Sequence, residues 1–221
     1  MFTFLVLDEK MSSLLLWTTQ AYLKECKDNP SRFLDTGYMK TFEEFASKAD
    51  KNAKKKLDVK VSDGKNLYHV AVEAKNIEAV KILNELLTFE QREKYLVQLP
   101  HRGNWERIRG GIHGMSARCK TPVHMAIGQW AEKHGDRQMY KALLEGLPSR
   151  VIITVLEVVD EKCRDAFDIA RCCREKNKSK EIMEEVGKDI GKARHEIDSK
   201  LQLLNLHGMF FVLYQSSVTF L

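Results

Sequence analysis

The chain has 221 residues, of which 43% are hydrophobic and 30% are charged, and its formal net charge is +5. This hydrophobic fraction can build a core, which argues against an intrinsically disordered chain. The small positive charge permits acidic partners, but it is well short of the strongly basic composition of a dedicated nucleic-acid-binding domain.

The two ends of the chain are apolar but do not match targeting or membrane-spanning segments. The first ten residues, MFTFLVLDEK, hold a short apolar run with no basic residue before it, unlike a signal peptide. The C-terminal GMFFVLYQSSVTFL is too short to span a bilayer. We expect these segments to pack as caps or to be imperfect ends of the gene product, and we predict no membrane contact for this chain.

The first 60 residues are predicted to form a helical N-terminal cap region. Helical spacing of apolar residues predicts a helix over Ser13–Lys27. Asn29-Pro30 has the form of an N-cap followed by proline at the first helical position. Thr41 and Glu44 have the spacing of a capping box and predict that another helix begins there.

The cysteines and one basic run bear on the compartment and on metal binding. The odd number of cysteines, the adjacent pair and the lack of a CxxC spacing disfavour a disulfide framework and predict reduced thiols in the cytoplasm or nucleus. The same spacing disfavours structural zinc, which normally uses closely spaced ligand pairs. Lys54–Lys56 is interpreted as a solvated helix end, with a nuclear-import patch as the alternative. The cysteines are Cys26, Cys119, Cys163, Cys172 and Cys173.

Three segments of the chain align with one another: GKNLYHVAV from Gly64, CKTPVHMAI from Cys119 and CRDAFDIAR from Cys163. In each, the third residue can cap a helix and the eighth is alanine, small enough for a neighbouring helix to approach closely. A second apolar helix is predicted after each segment, over 77–87, 136–144 and 179–186. Each unit is therefore predicted to be a capped helix, a turn and an antiparallel helix. The caps and alanines are Asn66, Thr121 and Asp165, and Ala71, Ala126 and Ala170.

These units resemble the ankyrin repeat. NLYHVAVEAKNIEAVKIL is similar, without a gap, to the pattern T-P-L-H-x-A, a turn and V-V-x-x-L-L; TPVHMAI matches well and DAFDIAR more weakly. The resemblance implies an all-α, ankyrin-repeat-like helical solenoid with short hairpin or finger turns. Residues 1–60 would be the cap, 61–187 three diverged repeats with a long insertion at 88–118, and 188–221 a capping helix with an apolar tail.

The units also depart from the family pattern. The family period is about 33 residues, whereas His69 and His124 are 55 positions apart. Gly64 stands at the family's turn glycine, but Cys119 and Cys163 stand at the matching positions. Because cysteine is strained at positive φ, we expect the second and third finger turns to be reshaped. The segment LPSRVIITVLEVVDEK is predicted to add a helix before the third unit, although its β-branched run also allows a strand.

The histidines of the first two units are predicted to be structural. The resemblance implies that His69 and His124 tie turn and helix backbones together through hydrogen bonds. A catalytic histidine would need an orienting acid and a nucleophile, and no such set is evident. We therefore predict no enzymatic activity, no cofactor and no small-molecule substrate.

The segment LPHRGNWERIRGGIHGMSARCK, residues 99–120, is rich in cations and holds one tryptophan. It is interpreted as a surface insertion, with partner binding, and more remotely phosphate or nucleic-acid binding, as the alternatives. Finger turns and inner helices supply the other candidate contacts. The predicted partner-binding residues are Asp63, Lys65, Tyr68, Trp105, Arg107, Arg109, Lys120 and Trp130.

The resemblance implies a non-enzymatic adaptor or scaffold that binds a protein partner, with an acidic partner favoured by the basic loop. The alternative is the cytosolic regulatory ankyrin fragment of a larger membrane channel or effector protein. The apolar C-terminal tail motivates that alternative.

Overall fold

The computed structural model describes residues 2–61, 65–99, 120–132, 135, 137–160 and 162–218, with side chains described between residues 14 and 202. Within these residues the chain is all-helical, as predicted, and an isolated antiparallel bridge between Lys60 and Asn66 takes the place of strands. The α-helices are α1 Phe2–Asp28, α2 Thr36–Lys48, α3 Lys51–Lys55, α4 Leu67–Glu73, α5 Ile77–Leu86, α6 Phe89–Leu96, α7 Pro122–Trp130, α8 Gln138–Leu144, α9 Ser149–Glu157, α10 Ala166–Arg171 and α11 Lys176–Val218; Pro30–Leu34 forms a 3₁₀-helix.

The N-terminal region packs through aromatic side chains. α1 contacts the 3₁₀-helix and α2, and the rings of Tyr22 and Tyr38 stack with centroids 4.2 Å apart. Phe33 and Phe42 are fully buried beside them. Stacked and tilted rings at these distances add to the hydrophobic stabilisation from buried area. α2 also contacts α5, so this region packs against the first unit.

Two predicted helix starts in this region need correction. Thr41 does not begin a helix, because α2 begins at Thr36 and the Thr41 hydroxyl donates to the carbonyl of Gly37 at 3.1 Å. A helix already under way there satisfies Thr41 within its own backbone, so the capping-box prediction was wrong. Pro30 does occupy the first position of the next element, but that element is a 3₁₀-helix, and Asn29 accepts from the Ser31 hydroxyl instead of capping it.

The basic run ends α3, as the solvated-end interpretation expected. Lys54 and Lys55 lie in the last turn of this five-residue helix, which Asp50 caps by accepting from the Ala53 N–H. Lys55 and Lys56 are exposed, whereas Lys54 is half-buried and its Nζ donates to the carbonyl of Glu85 at 2.8 Å. Cations at a helix C-terminus interact favourably with its exposed carbonyl groups.

Each of the three units is a pair of packed helices. α4 packs on α5, α7 on α8, and α10 on α11. All three predicted N-caps accept a backbone N–H in the first turn, and all three predicted alanines are fully buried. The first helices contact in succession, α4 with α7 and α7 with α10, and α5 contacts α8. The alanines therefore lie where neighbouring helices approach, as their size predicted.

The region between the first two units begins with a helix of its own. α6 lies in what the sequence assigned to an insertion, and a capping box between Thr88 and Gln91 starts it. The Gln91 amide donates to the carbonyls of Lys54 and Leu57, which ties α6 to the N-terminal region. Sequence comparison with a regular repeat could not place this helix, because it belongs to no unit.

The chain after the second unit is helical both in the β-branched segment and in the segment that follows the first helix of the third unit. The β-branched segment forms α9, as favoured, and α9 packs on α11. The predicted second helix of the third unit and the predicted capping helix are one continuous helix, α11. Within the predicted capping helix, Ile190 and Ala193 are buried, whereas Leu201 is 52% exposed.

The third turn is not reshaped around its cysteine. Cys163 adopts φ 55°, the left-handed conformation that a turn glycine normally takes. The expectation of a reshaped turn was therefore wrong at this position, and Cys119 lies outside the described residues. The turn keeps its backbone hydrogen bonds, since Asp160 N–H donates to the Arg164 carbonyl at 2.9 Å. Asp160 also accepts from the N–H groups of Lys162 and Arg164 and so holds the strained turn.

Replacing Cys163 with glycine should stabilise the protein. A left-handed conformation costs a side-chain-bearing residue about 1–2 kcal/mol, which exceeds the extra backbone entropy that glycine loses on folding. We expect the free energy of unfolding in urea to rise by about 0.5–1 kcal/mol. Cys172→Gly is the matched control, because Cys172 has φ −75° and should lose stability. Equal losses in both variants would contradict strain at Cys163.

Candidate partner-binding surface

The residue before each unit's N-cap is a cation: Lys65, Lys120 and Arg164. In the first and third units this residue closes the turn in the same register. Val61 N–H donates to the Lys65 carbonyl at 3.0 Å, as Asp160 N–H does to that of Arg164. We call Lys65, Lys120, Lys162 and Arg164 the turn edge.

His69 joins the first unit to the turn edge of the second. Its Nδ1 accepts from the Asn66 N–H at 3.2 Å, and its Nε2 lies 3.1 Å from the Lys120 carbonyl. Because Nδ1 is the acceptor, Nε2 carries the proton and donates to Lys120. Asn66 in turn donates to the Tyr95 carbonyl at 2.8 Å. His69 is fully buried, and the predicted structural role of tying turn and helix backbones is confirmed.

Burial keeps His69 neutral. It lowers the pKa of the imidazole to about 4, with a smaller opposing effect from the hydrogen bond to Lys120 and a further lowering by Lys65. A neutral imidazole can accept at one nitrogen and donate at the other, which this bridge requires. The chemistry of His69 is therefore that of a fixed backbone clamp.

His124 occupies the same slot in the second unit but is less well satisfied. It is fully buried, and neither ring nitrogen has a hydrogen-bond partner within the described part of the chain. Burial lowers its pKa, while Asp160 and the nearby Val158 carbonyl oppose the shift without reaching hydrogen-bond geometry. The prediction that His124 ties turn and helix backbones together through hydrogen bonds is therefore not confirmed within the described residues.

The turn edge has two neutralised cations and two that are not. Lys65 pairs with Glu73 at 2.5 Å, and Arg164 pairs with the buried carboxylate of Asp160 at 2.6 Å. Within the residues described, Lys120 and Lys162 form no salt bridge.

Lys120 lies in an environment that favours an incoming anion. Burial, together with the neighbouring charges of Arg164 and Lys162, lowers the pKa of the half-buried Lys120 ammonium, and Asp160 only partly offsets this. An anion arriving there would relieve the repulsion and gain charge-assisted hydrogen bonds.

The predicted partner-binding residues separate into three groups. Lys65 and Lys120 lie on the turn edge and are partly exposed, so both can contact a partner. Tyr68 and Trp130 are 0% and 1% exposed, so the prediction that they contact a partner is corrected. The Tyr68 hydroxyl donates to Asn84 at 3.0 Å, and the Trp130 ring packs on Tyr140. Tyr68 and Trp130 are therefore core residues of their helix pairs. Asp63, Trp105, Arg107 and Arg109 lie outside the described residues.

Sequence reasoning missed Lys162 and Arg164 as members of this surface. For Arg164 the available signal is the recurrence of a cation immediately before each N-cap, which the alignment of the three units contains. Lys162 stands at no recurring position, and no sequence signal points to it.

Other kinds of site have little basis in the described residues. No group of three or more potential metal-ligating side chains occurs among them. Cys26, Cys163, Cys172 and Cys173 are free thiols, and burial raises the pKa of Cys26 to about 12. None of the described helices is both long and apolar enough to cross a membrane.

Comparison of the chain with family models, with curated proteins and with solved structures finds no match. The ankyrin resemblance therefore has the three aligned segments and their helix pairs as its basis.

Proposed function

We propose that this chain is a non-enzymatic protein-interaction module, built as an ankyrin-like stack of three units, that binds an acidic protein segment through its turn edge. The observation that carries this proposal is the row of cations at one equivalent position, Lys65, Lys120 and Arg164. Lys120 has no acidic partner within the described residues and lies beside Arg164 and Lys162, so an anionic ligand would supply the missing partner.

The contacts between units support a stacked arrangement. His69 bonds to the backbone of Lys120, the Gln129 amide donates to the Val72 carbonyl at 2.6 Å, and the Asn84 amide donates to Ala142 at 2.7 Å. Side chains that bond a neighbouring unit's backbone fix the spacing between units, and stacked repeats bury a continuous core in this way. A rigid stack would present the turn-edge cations at fixed spacing.

The modest positive charge of the turn edge favours an acidic protein segment over nucleic acid as its ligand. Glu73 and Asp160 neutralise two of the four cations of the turn edge, which leaves Lys120 and Lys162 as its unpaired cations within the described residues. Such a pattern suits a few carboxylates at defined spacing. A nucleic-acid ligand would instead predict a continuous basic patch and affinity that falls steeply with salt.

Affinity capture from cell lysate with quantitative mass spectrometry tests this proposal. The test variant carries Lys65→Glu, Lys120→Glu and Lys162→Glu. The matched control carries Lys24→Glu, Lys27→Glu and Lys40→Glu, which are exposed lysines of α1 and α2. We expect one stoichiometric protein to be retained by the wild type and by the control, and to fall about tenfold with the turn-edge variant.

Two outcomes of the capture experiment would overturn the proposal. Equal recovery by all three proteins would place the binding site elsewhere on the molecule. The absence of any stoichiometric partner would count against an adaptor and favour a regulatory piece of a larger protein. Circular dichroism of each variant controls for folding, since all six substituted lysines are at least partly exposed.

A further inference from the structure

A groove of about 510 Å³ lies between α10 and the first turns of α11, and none of the four turn-edge residues lines it. Its floor is apolar and consists of the partly buried side chains of Phe167 and Met183. The Phe167 ring rests over Gly187, where an added Cβ would lie 3.7 Å from it. Cations and one acid form the rim: Arg171, Lys176, Lys180 and Glu184.

The groove lies on one side of the third unit. In the first and second units, the equivalent side is covered by the next unit along the chain. Phe167 is partly exposed, whereas Tyr68 and Val123, at the same slot, are fully buried. Two positions further along, Val70 and Ile169 are nearly buried and Met125 is partly buried, so this slot does not lose cover in the third unit.

The residues that contact the next unit also differ in the third unit. His69 reaches the next unit with its side chain, and Val72 does so with its backbone carbonyl. In the third unit the corresponding residues are Asp168 and Arg171, which bond to each other at 3.0 Å at the protein surface. The His69 side chain, which joins the first unit to the next, is thus replaced in the third unit by Asp168, which pairs within its own unit.

The charge of the rim indicates what kind of chain would fit. Arg171 pairs with Asp168 and Lys180 with Glu184, whereas Lys176 forms no salt bridge within the described residues. The salt bridge between Lys180 and Glu184 is 3.8 Å long and exposed, so it contributes little stabilisation. An occupant with apolar residues on one face and acids beside them would bury Phe167 and Met183. Its acids would pair with Lys176 and compete for the exposed Arg171 and Lys180.

We propose that this groove binds an acidic amphipathic helix of a partner protein, which takes the seat that the next unit's first helix takes in the two earlier units. The apolar floor would supply the affinity, and the cationic rim would select acidic over basic helices. This second surface is independent of the turn edge, so either proposal can fail without the other.

Fluorescence anisotropy with a defined probe tests the groove. The probe is a labelled synthetic peptide of about 18 residues with leucines at i, i+3, i+4 and i+7 and with glutamates and alanines elsewhere. One comparison peptide has the same composition with its leucines scattered around the helix, and another has lysines in place of the glutamates. We expect the full-length protein to bind the probe at least about tenfold more tightly than either comparison peptide.

Two variants locate the binding. Arg171→Glu, Lys176→Glu and Lys180→Glu together change only exposed side chains, so the fold should persist, and Phe167→Ala removes the apolar floor. Each should weaken probe binding about tenfold, while the Lys24→Glu, Lys27→Glu, Lys40→Glu control should bind like the wild type.

Three results would overturn the groove proposal. The first is equal binding of the probe and of the scattered-leucine peptide, and the second is probe binding that survives the rim variant. The third is a concentration-dependent dimer, seen by sedimentation and lost in Phe167→Ala, since that would make a second copy of the chain the occupant.

Discussion

Replacing Trp130 with alanine will lower the free energy of unfolding by about 3–5 kcal/mol, among the largest effects expected of a single substitution in a core. Trp130 is 1% exposed and lies at the end of α7. Its ring packs on Tyr140 of α8, with centroids 5.6 Å apart. Removing the indole would leave a cavity between the two helices of the second unit. The backbone hydrogen bonds within each helix limit how far the helices can collapse into that cavity.

Chemical denaturation in urea measures this loss, and the chain provides a matched control. Trp17 is 68% exposed on α1, so Trp17→Ala should change the free energy of unfolding by less than about 0.5 kcal/mol. If Trp130→Ala leaves too little folded protein, Trp130→Phe keeps an aromatic ring and should give a smaller loss of the same sign. Similar small effects at both tryptophans would contradict the burial of Trp130, and would return it to the set of surface residues.

The second large effect is a pH dependence that belongs to His69. Burial lowers the pKa of this imidazole from 6.5 to about 4 in the folded protein. The unfolded chain therefore binds more protons between these two values, and stability falls as the pH drops below about 6.5. At about 1.4 kcal/mol per pKa unit, the full shift corresponds to roughly 3 kcal/mol, of which about 2 kcal/mol is lost by pH 5.

Urea unfolding of the wild type and of His69→Gln at pH 7 and pH 5 tests this assignment. The variant should already be less stable at pH 7 by about 1–3 kcal/mol, because the Asn66 N–H and the Lys120 carbonyl lose a buried partner. It should then lose about 2 kcal/mol less than the wild type between the two pH values. His195→Gln, at an exposed position, is the control and should keep the wild-type pH dependence. A wild-type pH dependence in His69→Gln would show that His69 is accessible and titrates normally.

The local structure of the units could be predicted because short-range physics determines it. Asn66, Thr121 and Asp165 cap their helices, and the repeated alanines are buried. Each of these depends on residues within a few positions, so a pattern in the sequence is sufficient. His69 could also be assigned, because its slot recurs and the hydrogen bonds that it makes are with backbone groups.

The errors arose where tertiary contacts decide the outcome. Thr41 has the spacing of a cap, but packing of Tyr38 on Tyr22 accompanies an earlier start to α2. Tyr68 and Trp130 have the residue types of binding hot spots, yet neighbouring helices bury them. Cys163 is a different, local case: it takes a positive φ while Asp160, three positions earlier, accepts from the N–H groups of Lys162 and Arg164 and holds the turn.

The measurement that tests the account most directly is the dissociation constant of the captured partner, titrated against the wild type and two variants. One variant is the turn-edge triple Lys65→Glu, Lys120→Glu and Lys162→Glu. The other carries Trp105→Ala, Arg107→Ala and Arg109→Ala in the basic segment that leads into Lys120. We expect the turn-edge variant to bind the partner at least about tenfold more weakly than the wild type. The second variant should bind more weakly than the wild type only if the basic segment is part of the interface. A dissociation constant unchanged by the turn-edge substitutions would contradict the account.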